Sequence, residues 1–352
     1  MHSAPFLGVV FHAIGGLAAA SFYLPYRRVR GWSWETYWIV GGLFSWLLAP
    51  MAFSLLIVPG TWGILRSAPT GALINVWLLG VIWGVGGLTF GLTMRYLGIA
   101  LGYAVALGSC AAFGTLVPPI FSGQLGNLVM TRAGQWTLGG VALCLLGITF
   151  SGVAGLGKER ELSEESKKAT VGEFAYGKGI ATACVCGLLS ACMSFAFRAG
   201  GQVVDHAIKR GVLPLWAALP LLVVILFGGL TTNLIWSIFL NVRRGSFTEY
   251  LGNRRSAAAP LPLLGNYLFC ALAGVTWYLQ FFFYSMGESR MGVRLKFSSW
   301  TLHMASIIIF STVWGLLLRE WRGVSSRTRG WIAAGLVALV ISTVVIGYGN
   351  SL

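Results

Sequence analysis

Charged residues are absent from eight long stretches of this chain, residues 2–26, 38–59, 68–94, 179–197, 211–242, 256–287, 297–318 and 330–352. A ninth region, residues 97–157, is interrupted by a single charge, Arg132. An α-helix needs about 20 apolar residues to cross the hydrocarbon core of a bilayer, so these stretches predict membrane spans. The middle of the ninth region, residues 118–135, is rich in Gly, Pro, Asn and Gln and reads as a loop between two spans. Pro118 and Pro119 are expected to end or kink the first of them, because proline removes a backbone donor. The pattern therefore predicts ten spans, centred near residues 15, 48, 84, 109, 146, 188, 226, 275, 308 and 340. The expected fold class is an all-α integral membrane protein.

The most charged segment, residues 155–176, lies between the fifth and sixth spans and holds five of the ten acidic residues. It divides the chain into a first repeat at 1–157, a cytoplasmic hinge loop at 158–176 and a second repeat at 177–352. An odd number of spans in each half gives the halves opposite orientations, which predicts two inverted five-helix repeats. Weak echoes agree: Ser21-Phe22 closes the first span as Ser194-Phe195 closes the sixth, and residues 93–98 match 283–287 in place. Many of the 48 glycines fall inside spans, as in Gly84, Gly86, Gly87 and Gly91 or Gly98 and Gly102. Such small-residue faces let helices approach closely.

Composition supports the membrane reading. Of 352 residues 56% are hydrophobic and only 10% charged, with mean hydropathy +0.77, whereas soluble domains are about 25% charged. A net charge of +15 would suit nucleic acid, but the basic residues sit in short loops between spans. Roughly two thirds of the 25 Lys and Arg follow odd-numbered spans, the bias expected of cytoplasmic loops. That bias places both termini away from the cytoplasm and leaves no role for nucleic acid. The first span lacks a basic segment before it, so it reads as an uncleaved span rather than a signal peptide. All six cysteines lie within spans and read as small apolar packers, with no metal pair.

No phosphate-binding GxxxxGK[ST], HExxH, CxxC or GxSxG motif is present, so no enzyme chemistry or ATP hydrolysis is expected. Transport would be driven by an ion gradient or run downhill. Residues 277–284, WYLQFFFY, set one amide, Gln280, in an aromatic run. Trp277, Gln280 and Tyr284 share a helical face and suit a small polar ligand; a buried helix–helix contact is the other reading. His12 and His303 are ionisable groups inside spans, with Trp300 three residues before His303. At the cytoplasmic mouth Glu35 and Arg95 are candidates for an inner gate, and Asp205 or Glu288 with Arg290 for an outer one. Protonating a carboxylate would weaken such a pair. Simple snorkelling of these charges to headgroups is the alternative.

The segments FYLPYRRVRGWSWETYW (22–38), GLTMRYLG (91–98), WYLQFFFY (277–284), SWTLHM (299–304) and LREW (318–321) closely resemble the L-rhamnose–proton symporter family, in order, from the first span to the ninth. This resemblance implies membership of the drug/metabolite transporter superfamily and ten helices in two inverted repeats. It further implies proton-coupled import of L-rhamnose or a related 6-deoxyhexose across the bacterial inner membrane by alternating access, with no cofactor. The implied partners are the sugar, protons and membrane lipid. Glu35, Arg95, Tyr96, Trp277, Gln280, Trp300 and His303 stand at motif-matched positions, and His12 fits the same pattern. The candidate sugar-binding set is His12, Trp83, Tyr96, Trp277, Gln280, Trp300 and His303. Glu288 stands where the family has a histidine, Lys296 where it has an acid, and Gly292 where it has a proline, so substrate range or gating could differ there. The competing expectations are a carrier of another neutral monosaccharide or metabolite, and a membrane sugar receptor that does not transport.

Overall fold

The structure is a computed structural model that describes residues 4–121, 125–163, 174–252, 262–291 and 299–352. Gly292, Lys296 and Arg294, and residues 164–173 of the expected hinge, lie outside the described residues. All regular structure among the described residues is helical. The helices are α1 (Pro5–Ser21), α2 (Tyr23–Tyr26), α3 (Trp34–Leu43), α4 (Ala49–Ile57), α5 (Thr61–Ser67), α6 (Thr70–Leu97), α7 (Ile99–Phe121), α8 (Leu125–Met130), α9 (Arg132–Glu161), α10 (Tyr176–Ser190), α11 (Cys192–Ala199), α12 (Gly201–Lys209), α13 (Leu219–Arg244), α14 (Leu263–Arg290), α15 (Ser299–Leu317) and α16 (Ser326–Ser351).

Among the described residues, eight helical segments are long and apolar enough to cross a membrane: Phe6–Tyr26, Trp34–Ile57, Thr70–Leu97, Arg132–Lys158, Tyr176–Lys209, Leu219–Arg244, Leu263–Arg290 and Ser326–Gly349. The expected fourth and ninth spans correspond to shorter apolar helices, Leu101–Gly114 and Leu302–Leu317. The proline-rich loop expected at 118–135 is instead mostly helical, since α7 continues to Phe121, α8 follows, and α9 starts at Arg132. Polar backbone groups find no water in lipid, which favours helix even where the composition resembles a loop.

One irregularity was not foreseen. Between α3 and α4 the helix widens into a π turn at Phe44–Leu48. Pro50 lies just beyond and offers no N–H to the carbonyl four residues earlier, so a wider turn relieves the mismatch. The Ser45 hydroxyl donates back into the distorted turn, 3.1 Å from the Gly41 carbonyl oxygen.

The chain forms two compact units, each assembled from separate stretches. The first comprises residues 1–20, 86–194 and 286–352. Its longest contact joins α9 and α16 through glycine. At one end a side chain on Gly349 would crowd Thr137; in the middle one on Gly147 would crowd the Gly335 carbonyl; at the other end one on Gly157 would strike Thr328. Beside this seam Leu97, Leu101, Val105, Ala154, Ala183 and Trp321 form an apolar core. Gly98, at φ +80°, supplies the left-handed residue that reverses the chain from α6 into α7. The Glu161 carboxylate accepts bonds from the Ser325 N–H and from the Ser325 and Thr328 hydroxyls, tying the end of α9 to the start of α16. These bonds hold its pKa below the ordinary carboxylate value.

The second unit comprises residues 21–85 and 195–285. Here α6 meets α13 backbone to backbone: a Cβ on Gly80 would collide with the Ile225 carbonyl, and one on Gly228 with the Trp77 carbonyl. Asn233 locks the crossing. Its amide donates to the carbonyls of Gly84 (3.0 Å) and Gly229 (2.8 Å), and its oxygen accepts from the Trp38 indole at 2.8 Å. One α13 side chain thereby ties α3, α6 and α13 together.

Gly80→Ala should lower the melting temperature of the detergent-purified protein by several degrees. Overpacking of this kind costs about 1–3 kcal/mol. Gly71→Ala, in the same helix but with open space around it, should not lower it.

Candidate functional site

In the second unit an aromatic cavity is lined by Phe22, Tyr26, Trp38, Gly42, Ser45, Trp46 and Trp277. Glycine makes room for it: a Cβ on Gly41 would strike the Tyr26 hydroxyl, and one on Gly42 the Trp46 ring. The π turn carries both Ser45 and Trp46. Trp277 packs edge-on against Trp46 with ring centres 5.9 Å apart, and against Trp83 at 5.4 Å. The buried Trp46 indole N–H has no hydrogen-bond partner among the described residues. An unmet donor in a ring-lined hollow is the kind of handle that a ligand hydroxyl can take up. Gln280 lies one turn beyond Trp277 and is 7% exposed; Tyr284 is buried against Phe197 with ring centres 5.0 Å apart.

A polar cluster holds the start of α3 in the same unit. Glu35 is fully buried, and its carboxylate meets Arg244 at 2.9 Å and Ser246 at 3.0 Å. Asn241 donates to the Tyr250 hydroxyl at 3.2 Å, and burial pushes that hydroxyl up to about 12, so it stays protonated. Glu249 accepts from the Ser33 N–H and hydroxyl, each at 2.7 Å, which satisfies donors at the N-terminus of α3. Asn266 exchanges two bonds with the backbone of Arg30. The segment from Arg30 to Thr36 is thus held by side chains roughly 200 residues away in sequence.

The first unit brings together two of the sequence-selected residues. His12 on α1 and His303 on α15 are both fully buried, with ring centres 5.9 Å apart. A Cβ on Gly287 would lie 2.8 Å from the His12 Nε2, so that ring rests on bare backbone. Trp300 is half-buried, with its indole beside Gly114.

The remaining candidates are dispersed. Tyr96 packs against the apolar core of the first unit, and its carbonyl accepts from the Ala175 N–H. Arg95 is exposed at the end of α6, and Asp205 is exposed on α12. Glu288 and Arg290 are half-buried at the end of α14. The ion pair that Glu35 makes is with Arg244, a residue the sequence reading did not select. Sequence reasoning also passed over Tyr26, Trp38, Ser45, Trp46 and Asn233. Tyr26 and Trp38 lie inside the tryptophan-rich 22–38 segment, so a signal was present; Asn233, an amide within a span, carried the same kind of signal as Gln280.

Long apolar helices, buried polar groups bonded between them, and a ring-lined cavity define a multi-pass α-helical membrane protein. The family model described as L-rhamnose-proton symport protein (RhaT) matches residues 1–351. The chain belongs to this family, which is one of transporters and not of enzymes. It is 40% identical to the L-rhamnose-proton symporter of Cronobacter sakazakii over 99% of both chains. The proteins of the same name from Klebsiella pneumoniae and Escherichia coli are 39% and 38% identical, again over 99% of each chain.

A double-mutant cycle on Glu35→Gln and Arg244→Gln, read by thermal unfolding in detergent, should give a coupling of about 0.5–1 kcal/mol. The Arg244 side chain is 52% exposed, so solvent screens the pair. Zero coupling would mean that the ion pair contributes nothing to the position of α3.

Proposed function

We propose that this protein imports L-rhamnose or a related 6-deoxyhexose together with protons. The observation that carries this reading is family membership across the whole chain, with relatives named L-rhamnose-proton symporter at 37–40% identity. The proposal places the protein in the bacterial inner membrane with both termini on the periplasmic side, in keeping with the distribution of basic loops. It works by alternating access with ten membrane helices in two inverted five-helix repeats, 1–157 and 177–352, joined by the hinge at 158–176.

The chemistry of the aromatic cavity supports the substrate class. A deoxyhexose has an apolar edge with a methyl group and C–H faces, which pack on rings such as Trp46 and Trp277. Its hydroxyls need discrete donors and acceptors, which Ser45, Tyr26 and the Trp46 indole can supply from the cavity wall, and the Gln280 amide one turn beyond Trp277 is proposed as a further partner. We assign the sugar contacts to Trp277, Gln280 and Trp83, with Trp46 added. Glu35, Arg95, Asp205, Glu288 and Arg290 are the proposed gate and coupling residues, with Glu35 held by Arg244 in the present conformation.

Labelled L-rhamnose should accumulate in proteoliposomes only when an acid-outside pH gradient is imposed, and a protonophore should release it. Binding without accumulation would favour a receptor, and uptake of a different monosaccharide in preference would reassign the substrate. Gln280→Ala should weaken L-rhamnose binding by roughly 2- to 10-fold while the protein stays folded and inserted, the loss expected for one neutral hydrogen bond. Unchanged affinity in a titration of that variant would return Gln280 to a packing role.

A further inference from the structure

We propose that His12 and His303 form a single proton-carrying unit and that this unit carries one coupling proton per sugar in the symport proposed above, on which the inference rests. The geometry brings the two imidazole rings of different helices together. Gly8, His12 and Gly16 fall at intervals of four residues, on one face of α1. A Cβ on Gly8 would press on Met291 and the Gly287 carbonyl, and one on Gly16 would strike Ser306. Glycine above and below the histidine therefore seats α1 tightly on the end of α14 and on α15. His12 is clamped between these contacts, with the bare Gly287 backbone on one side and the His303 ring 5.9 Å away.

Two imidazolium cations at that separation repel. With an effective dielectric near 20, the second charge is disfavoured by roughly a hundredfold. The two rings then titrate as one unit that takes up one proton, and neither histidine has a pKa of its own. The proton adds to an imidazole nitrogen lone pair and leaves from the same unit, with no other bond made or broken. The described helices packed against α15 are α7, with Tyr103 and Cys110, and α16, with Arg327, Arg329 and Tyr348; Glu288 and Arg290 stand at the end of α14. The Tyr103 hydroxyl donates to the Ala19 carbonyl oxygen at 2.6 Å. Neither α1 nor α15 contains Asp, Glu, Lys or Arg.

Both rings are fully buried in this conformation, so exchange with bulk water requires the protein to open. Coupling demands that restriction, because a site open to both sides at once would leak protons. Protonation also changes the charge of a unit held in apolar surroundings, so it can bias the balance between conformations.

The test uses the full-length protein in proteoliposomes, with His12→Gln and His303→Gln made singly. Two rates are read for each: L-rhamnose accumulation driven by a pH gradient, and rhamnose–rhamnose counterflow at equal pH, which needs no net proton movement. In each variant accumulation should fall at least tenfold further than counterflow, and the alkalinisation that accompanies rhamnose entry should disappear. On the unmodified protein, the reversal potential should give one proton per sugar, and 15N-labelled imidazoles should show both rings responding to a single protonation step. Accumulation and counterflow falling together, a stoichiometry of two, or two independent histidine titrations would overturn the proposal while leaving symport intact. If the unmodified protein fails to accumulate rhamnose, the functional reading fails first and the inference goes with it.

Discussion

Helices inside a bilayer gain nothing by hiding apolar side chains from one another, because the lipid is equally apolar. They associate by bringing backbones close and by bonding polar groups that have nowhere else to go. That constraint governs both units of this protein. In one, glycines along α9 and α16 bring the two helices together from Gly349 to Gly157. In the other, Gly80 and Gly228 let α6 and α13 touch through their carbonyls, and Asn233 bonds across the same crossing. Without the close approach Asn233 could not reach its partners across the crossing.

The same constraint explains where function can reside. A cavity among packed helices persists only if something prevents its collapse, and in the second unit large rings do so. Tyr26 and Trp46 are admitted by the Gly41–Gly42 pair, and Trp277 closes the set with Trp83 behind it. The π turn at Phe44–Leu48 rotates Trp46 into the group. Charged residues are kept to the ends of helices, where Glu35 meets Arg244 and Ser246, and Glu249 satisfies the first turn of α3. Ionisable side chains within the apolar stretches are few, and two of them, His12 and His303, face each other. The two kinds of residue are thereby kept apart: fixed aromatic rings in one unit and a pair of imidazoles in the other.

Much of this could be read directly from the chain. Membrane spans follow from transfer free energy, which is additive along a short window, and eight of the ten expected spans are present as long apolar helices. Family resemblance rested on motifs local enough to recognise, and the whole chain matches that family. Local rules were misleading at residues 118–135, where a composition typical of loops lies in helix. They also missed the π turn, whose cause is a mismatch between Pro50 and the carbonyl one turn earlier.

Partnership lies beyond such local rules. That Glu35 would meet Arg244, that Ser33 would be capped by Glu249, and that His12 would lie against His303 depend on contacts between residues 200 or more positions apart. Hydropathy places each of these side chains at a depth but leaves its direction around the helix open. Rotation and register are set when backbones come together at glycine, because only there does a shift of one residue produce a collision. The chain's own pattern was sufficient for the number, length and class of its elements, since those depend on solvent and on neighbours in sequence. Which polar groups pair, and where a cavity remains, was settled by packing, since that energy exists only once distant helices are in contact.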